Sequence, residues 1–346
     1  LEISQLDFDG IKDNLKTFLS QQDEFTDYDF EGSGMNILLD VLAYNTHYLG
    51  FNANMLANEM YLDSADQRSS VVSLAKQVGY TPRSASSSKA LLDVVVNNAS
   101  GASLTMSRGT KFTTTVDGTN YSFVNNADVS ISPQDGVYKF SNLDIFEGTY
   151  LNYKYTVNTS DKDQRFIIPN DFVDTTTLTV KIQESSSDST TNTYTLAGGI
   201  TGIDSTSKVY FLQEVENGRF EVYFGDGVLG QGVADGNIVI LDYITGNLDE
   251  PNGATTFTLS GTVGGFSDVT ITTLNTANGG DAPETIKSIK YNAPRDYTSQ
   301  DRAVTAEDYK VLIKSLYANA QSVQVYGGED AAIPDYGKVY ISIKAK

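Results

Sequence analysis

The sequence predicts an α+β chain of several domains, with an N-terminal helical region, a central all-β region and the start of a C-terminal α+β module. Three observations predict it. Apolar residues recur at helical spacing before residue 83. From Ala90 onward short β-branched runs alternate with Gly, Asn and Asp turns. A capped amphipathic run then begins at Thr305. With 346 residues, 40% hydrophobic and 20% charged, the chain lies in the ordinary globular range and is long enough for more than one core.

Taken in order, residues 3–22 place Ile11, Leu15, Phe18 and Leu19 on one helical face, with Asp7 or Asp9 available to cap the first turn. After the acidic, aromatic stretch 23–30, a Gly-Ser-Gly turn leads to Met35. Ile37, Leu38, Val41, Leu42, Tyr44, Tyr48 and Leu49 follow at helical period, predicting a helix to about Tyr61, ~40 Å long at 1.5 Å per residue. Its apolar residues occupy much of the circumference, so cover is expected on two sides, from its own chain or from another subunit. Ser64 with Gln67 offers a capping box for the stripe Val71, Val72, Leu74, Ala75 and Val78, which Gly79 and Pro82 end.

Residues 84–88 read as a small polar linker. Beyond it, 91–96, 111–116, 150–157 and 178–182 read as strands, and the low-complexity run ESSSDSTTNT at 184–193 reads as an exposed loop between two β subdomains. The expected regions are therefore 1–83 (helical), 89–184 and 194–290 (β), and 291–346 (α+β). In the last, Thr305 is the N-cap, Glu307 and Asp308 lie in the first turn where the helix dipole favours them, and Tyr309, Leu312, Ile313 and Leu316 form the buried face. Strands are expected at 321–326 and from 338; the run 338–346 stops abruptly, so further sequence is expected beyond it, and the start at Leu1 leaves a preceding segment open.

Composition narrows the chemistry. A net charge of −20 argues against wrapping nucleic acid, which needs clustered Lys and Arg, and against anionic membranes. No apolar run approaches the roughly 18 residues of a membrane helix. Without cysteine there is neither disulfide nor thiolate metal site. His47 is the single histidine and lies in the long helical stretch beside Tyr44 and Tyr48, where packing or hydrogen bonding explains it better than catalysis. Acidic pairs occur at Asp7/Asp9, Asp27/Asp29, Asp161/Asp163 and Asp249/Glu250; they read as turns and caps in preference to a glycosidase pair, and none completes a calcium loop. The 21 tyrosines suit strands, interfaces and ligand platforms alike. No cofactor or metal is expected, and the chain reads as a non-enzyme.

The stretch 219–246, RFEVYFGDGVLGQGVADGNIVILDYITG, reads as strand, glycine-rich connection, strand. Gly225, Gly227 and Gly230 spell G-x-G-x-x-G, with Asp249 and Glu250 downstream. A dinucleotide site requires the third glycine to open a helix, however, and here Gln231–Gly236 leads through an Asp-Gly turn into a strand. The run FGDGVLGQG followed by DYITG resembles a signature of the baseplate J-like and baseplate wedge proteins of contractile-tailed phages. Residues 58–82, NEMYLDSADQRSSVVSLAKQVGYTP, resemble the N-terminal helical segment of a baseplate wedge subunit of T-even-type phages. Residues 293–312, APRDYTSQDRAVTAEDYKVL, resemble that family's Arg-x-Val-Thr-x-x-Asp-Tyr helix start.

The resemblance implies a structural subunit of a phage tail baseplate wedge, assembled in the host cytoplasm. Such a subunit joins copies of itself and other wedge, hub and sheath-proximal proteins into a ring, and links baseplate to sheath during contraction. It assigns structural roles to Gly225, Asp226, Gly227, Gly230, Tyr243 and Gly246, and to Arg302, Val304, Thr305, Asp308 and Tyr309. Independently of it, the apolar face of the long helix makes Leu38, Leu42, Leu49 and Leu56 the expected subunit contacts. The alternative class is a surface glycan-binding protein or adhesin, on the strength of the Tyr-, Thr- and Asn-rich β region; a glycoside hydrolase or lyase using an acidic pair is a third.

Overall fold

A computed structural model describes residues 7–22, 24, 28–198, 202–300, 302–317 and 320–345. The chain divides into two units, Leu1–Leu74 and Ala75–Lys346. Three helices come first: α1 (Phe8–Leu19), α2 (Gly34–Glu59) and α3 (Arg68–Gln77), the division falling inside α3. Asp7 caps α1 by accepting from Gly10 N at 2.7 Å, and Ser33 caps α2 by accepting from Asn36 N at 3.0 Å. α1 packs along α2, with Ile11, Leu39 and Ala43 buried and Lys12 Nζ 2.5 Å from Asp40 Oδ1.

The expected Ser64–Gln67 capping box does not form. The Ser64 hydroxyl donates instead to the carbonyl of Asn58 at 2.6 Å. The Glu59 carboxylate, at the end of α2, accepts from the backbone N–H of Asp66 (2.9 Å) and Gln67 (3.3 Å) and so satisfies the start of α3. A carboxylate is the better partner for free N–H groups at a helix start.

The β region follows. Its first strands are β1 (Lys89–Val96), β2 (Leu104–Met106), β3 (Lys111–Val116), β4 (Thr119–Asn125), β5 (Val129–Ile131) and β6 (Tyr138–Glu147). Next come β7 (Thr149–Thr156), β8 (Phe166–Ile167), β9 (Val173–Gln183), β10 (Thr191–Leu196), β11 (Val209–Glu214), β12 (Phe220–Phe224) and β13 (Ile238–Thr245). β14 (Thr258–Ser260) and β15 (Val269–Asn278) return to the first sheet, giving six strands in the order β14-β3-β4-β6-β1-β15. Along β1 the alternate residues Ala90, Leu92, Val94 and Val96 turn inward onto Phe112, Phe123, Phe140 and Ile145.

The second sheet has seven strands, β7-β13-β9-β10-β11-β12-β8, with β10 and β11 parallel. It curls until its outer strands meet: the Tyr155 hydroxyl of β7 donates to the carbonyl of Ile167 in β8 at 2.5 Å, and the Tyr155 and Phe166 rings pack edge-on. Val180, Val222, Val239 and Leu241 fill the interior.

Two expectations need correction here. The run at 184–193 is not a subdomain boundary, because β9 and β10 pair antiparallel as one hairpin within the second sheet. The sheets are nested in sequence: β1, β3, β4 and β6 with β14 and β15 build one, strands within 149–245 the other, and β2 pairs separately with β5. β12 and β13, on either side of the glycine-rich connection, are not paired with each other, since β9, β10 and β11 lie between them. The second correction concerns a helix, α4 (Ile286–Ser299), which begins before the expected end of the β region at residue 290 and precedes α5 (Ala306–Leu316). Pro294 sits inside it and removes one backbone donor, which is why periodicity alone does not find it. The antiparallel pair β16 (Ala320–Gly327) and β17 (Val339–Ala345) closes the described chain.

Candidate assembly surfaces

Among the described elements, α2 exposes the most large apolar side chains. At 26 residues it is about 39 Å long, and among its described residues only Asn36, Leu39 and Ala43 are buried. Ile37, Val41, Tyr44, Tyr48, Phe51 and Met55 follow one another at spacings of four and three, and all are exposed. That alternation is the heptad seam by which helices pack on helices. Leu38, Leu42, Leu49 and Leu56 form a neighbouring stripe, exposed by 51%, 45%, 60% and 65%, and the two stripes lie about 100° apart around the axis. A run of leucines left this open to water costs hydrophobic free energy that only another surface recovers.

The glycine-rich connection is a tight turn. The Asp226 carboxylate accepts from Val228 N (2.9 Å) and Leu229 N (3.1 Å), and those N–H groups hold it below the usual carboxylate range. Gly227 N donates to Gly230 O at 3.1 Å. A Cβ on Gly225 would drive into the carbonyls of Leu229 and Gly230, while Gly227 and Gly230 both have positive φ. No helix follows, so the G-x-G-x-x-G spacing serves turn geometry. The tip presents Val228 and Leu229 to solvent.

At the far end of β13 from the turn, the two sheets join where the chain crosses twice. It leaves the first sheet at Glu147–Gly148 and returns at Thr245–Gly246, and Thr149 of β7 pairs with Thr245 of β13. A Cβ on Gly148 (φ +124°) would strike the Thr245 carbonyl; one on Gly246 would lie 2.6 Å from Glu147 Oε2. Glu147, fully buried, accepts from Asn247 N (2.8 Å) and Asn247 Nδ2 (2.7 Å). Burial pushes its carboxyl up, and the nearby Glu250 adds to the rise.

A third strand of chain enters the same junction. Ser84, Ser87 and Ser88, expected as a solvent-exposed linker, are buried. The Ser84 hydroxyl lies 2.8 Å from Thr175 Oγ1, Ser87 N donates to Asp174 Oδ2 at 2.8 Å, and Ser88 O accepts from Glu147 N at 2.8 Å. The residues are small because the space is small. Asp174 is buried too, and burial raises its carboxyl above the ordinary value against the hydrogen bonds from Thr176 and Ser87.

Asp242, in the middle of β13, ties the sheets together. Its carboxylate accepts from Tyr150 Oη (2.7 Å) and Asn152 Nδ2 (2.5 Å), and pairs with Arg108 NH1 (2.9 Å) and Lys181 Nζ (3.1 Å). Burial alone would raise it, but Asn152, Tyr150 and Lys181 hold it below the usual range. Arg108 comes from the loop between β2 and β3 and also donates to Thr179 Oγ1 and the Asn126 carbonyl. The signal available in sequence was one acid inside the otherwise apolar run IVILDYIT.

Beside the sheet junction the chain closes on itself. Ser86 and Asp281 exchange backbone hydrogen bonds of 3.0 and 3.1 Å, and Arg83 pairs with Asp281 at 2.7 Å. Buried Glu284 accepts from the Tyr80 hydroxyl (2.8 Å), Arg83 N (3.2 Å), Ser288 Oγ (2.6 Å) and Asn292 Nδ2 (2.8 Å). Burial and the adjacent Glu284 raise the Tyr80 phenol far above its ordinary value.

The remaining expected residues make local contacts. Tyr243 is buried and donates to Asn170 Oδ1 at 2.6 Å. Thr305 and Asp308 form a reciprocal capping box at the start of α5; Val304 N donates to Asp308 Oδ2, Tyr309 N donates to the Thr305 carbonyl, and Arg302 reaches Gln300 Oε1. Of the first group, Gly225, Asp226, Gly227 and Gly230 lie at the turn, whereas Tyr243 and Gly246 lie at the far end of β13, beside the sheet junction; the second group is local to α5, and nothing among the described residues brings these places to one pocket. Asp7 caps α1, the Asp161 carboxylate closes a turn onto Asp163 N, and Glu250 accepts from Tyr121, so these acids are caps, turns and supports. Asp27 lies outside the described residues. Among the described residues no group of His, Asp and Glu is placed to hold a metal ion, and no helix is long and apolar enough to cross a membrane.

Comparison with known proteins bears directly on these surfaces. Residues 7–80 match the helical domain of gp6-like baseplate wedge proteins, residues 153–256 the third domain of the bacteriophage baseplate wedge protein gp6, and residues 305–346 C-terminal domain I of the baseplate structural protein gp6. The chain is 30% identical over 370 residues to "Baseplate wedge protein gp6" of Enterobacteria phage T4, a match that takes in 98% of this chain and 54% of that protein. The chain belongs to the gp6-like family of phage baseplate wedge proteins. It spans about half the length of this relative. The exposed α2 thus lies within the gp6-like helical domain, and the glycine turn with Asp242 within the third gp6 domain. A solved structure, the 6-fold symmetrised baseplate of the anti-feeding prophage, aligns over 91% of this chain and 65% of its own at 12% identity, with a TM-score of 0.30.

Proposed function

We propose that this gp6-like chain is a structural, non-enzymatic component of a phage tail baseplate wedge. It joins copies of itself and other wedge proteins into a ring around the hub, and links that ring to the sheath during contraction. Its place is the virion tail baseplate, after assembly in the host cytoplasm. The observation that carries the reading is α2: two adjacent apolar stripes, exposed over most of a 26-residue helix, in the region that matches the gp6-like helical domain. Leu38, Leu42, Leu49 and Leu56 are the proposed contact residues, each stripe receiving a helix from a neighbouring subunit.

The test is assembly. Leu42→Asp places a charge in the leucine stripe and is expected to abolish ring or wedge formation at high salt, where charge pairs are screened, read by light scattering and electron microscopy. The β-sheet circular dichroism should stay unchanged. Assembly at the wild-type level by the variant would sink the proposal.

A further inference from the structure

We infer that the α4–α5 face is a second, electrostatic docking surface that receives the acidic α1 face of another copy of this chain. Charge is unevenly spread along the sequence. Residues 1–74 hold thirteen acidic side chains against three basic ones, whereas residues 286–317 hold six basic against four acidic, in a chain of net −20. The basic groups of α4 and α5 are also organised. Lys287, Tyr291 and Arg295 follow at spacings of four along α4, and Lys310 and Lys314 do so along α5, which packs against it.

The stripes meet around one aromatic ring. The Arg295 guanidinium lies 3.5 Å from the centroid of Tyr291 and Lys314 Nζ lies 5.9 Å from it, while nearly half of Tyr291 is exposed. Glu307 is the acid facing this cluster; its hydrogen bond from Lys310, with the fields of Arg295 and Lys314, holds it below the usual carboxylate range. One carboxylate among three cations leaves net positive charge beside an exposed ring. Tyrosine with arginine is the pairing enriched at protein interfaces.

The complementary surface is on α1. Asp9 and Asp13 are exposed, lie four residues apart and so project from one face of the helix, and Glu31 is exposed after it. A contact between two different surfaces of one chain is heterologous, and repeated it generates a ring or a filament. This inference rests on the reading that copies of the chain meet, but uses neither stripe of α2, and its salt dependence separates the two. Exposed charges are screened within about 10 Å at 0.1 M salt, whereas an apolar contact persists.

The experiment therefore uses the full chain in a Leu42→Asp background, followed by sedimentation velocity at low and high salt. At low salt the background protein is expected to self-associate, and high salt is expected to abolish this. Arg295→Glu/Lys314→Glu and, separately, Asp9→Lys/Asp13→Lys should each weaken association about tenfold or more. An equimolar mixture of the two variants, which recreates opposite charges across the contact, should restore it. Unaltered association of either variant, no recovery on mixing, association indifferent to salt, or a lysine–carboxylate cross-link found only within one chain would each overturn the inference. Helical circular dichroism of each variant guards against misfolding, and recovery on mixing could not come from unfolded protein.

Discussion

Gly148 shows how much one missing side chain can decide. Its positive φ and the Thr245 carbonyl against it leave no room for a methyl group where the chain passes between sheets. Gly148→Ala should cost about 2–4 kcal/mol in urea denaturation, through both strain and overpacking. Gly198→Ala, with open space around it, should change stability by less than about 0.5 kcal/mol. At Asp242 the issue is charge. Asp242→Asn leaves Arg108 and Lys181 facing a neutral group in a buried site, at a cost of about 3–5 kcal/mol near neutral pH. Because the folded carboxyl is held below its unfolded value, its contribution is present above the ordinary carboxylate range and lost as pH falls through the lowered value. The gap between wild type and Asp242→Asn should therefore narrow in acid. Glu147 and Asp174 act in the opposite sense: burial raises them, so their contribution is full below the ordinary range and lost as pH rises through the raised values.

Elements differ in how plainly the sequence announces them. α2 and α5 are written in local terms, a period and a cap; the N-cap expected at Thr305 forms, and Asp308, expected only as a first-turn acid, closes it into a capping box. Thr305→Ala should destabilise the first turn of α5 by about 1 kcal/mol, seen as faster amide exchange at Glu307–Tyr309 with the β sheets unaffected. The glycine turn is equally local, since Asp226 and the glycines need only their neighbours. The order of the second sheet could not be read so directly. β12 and β13 look like partners across a short loop, yet three strands come between them, because strand pairing is decided by contacts distant in sequence. The 84–88 segment misleads for a related reason: serine suits both an exposed linker and a tight buried crossing, and only Asp174, Thr175 and Glu147, far along the chain, distinguish them. The leucines proposed as contacts are visible in the sequence as an excess of leucine along α2, and the structure shows them exposed; the Asp242 and Glu147 networks are visible at most as acids out of place.

At the scale of the molecule, the unit that begins at Ala75 contains both sheets, the junction and the clasp at Ser86–Asp281. A fragment of residues 75–346 is expected to unfold cooperatively with the β signature of the full chain, while losing the salt-independent association assigned to α2. Fragment unfolding without a cooperative transition would show that the helices are needed for the β region. The clasp also has a mechanical meaning. Since residues 86 and 281 leave the β region side by side, tension between the segments before and after it travels through a few backbone hydrogen bonds, the Arg83–Asp281 pair and the Glu284 cluster, loaded in parallel. Residues 87–280 hang from that short load path as a slack bight, so a machine that pulls on its parts can strain this chain without unravelling its sheets.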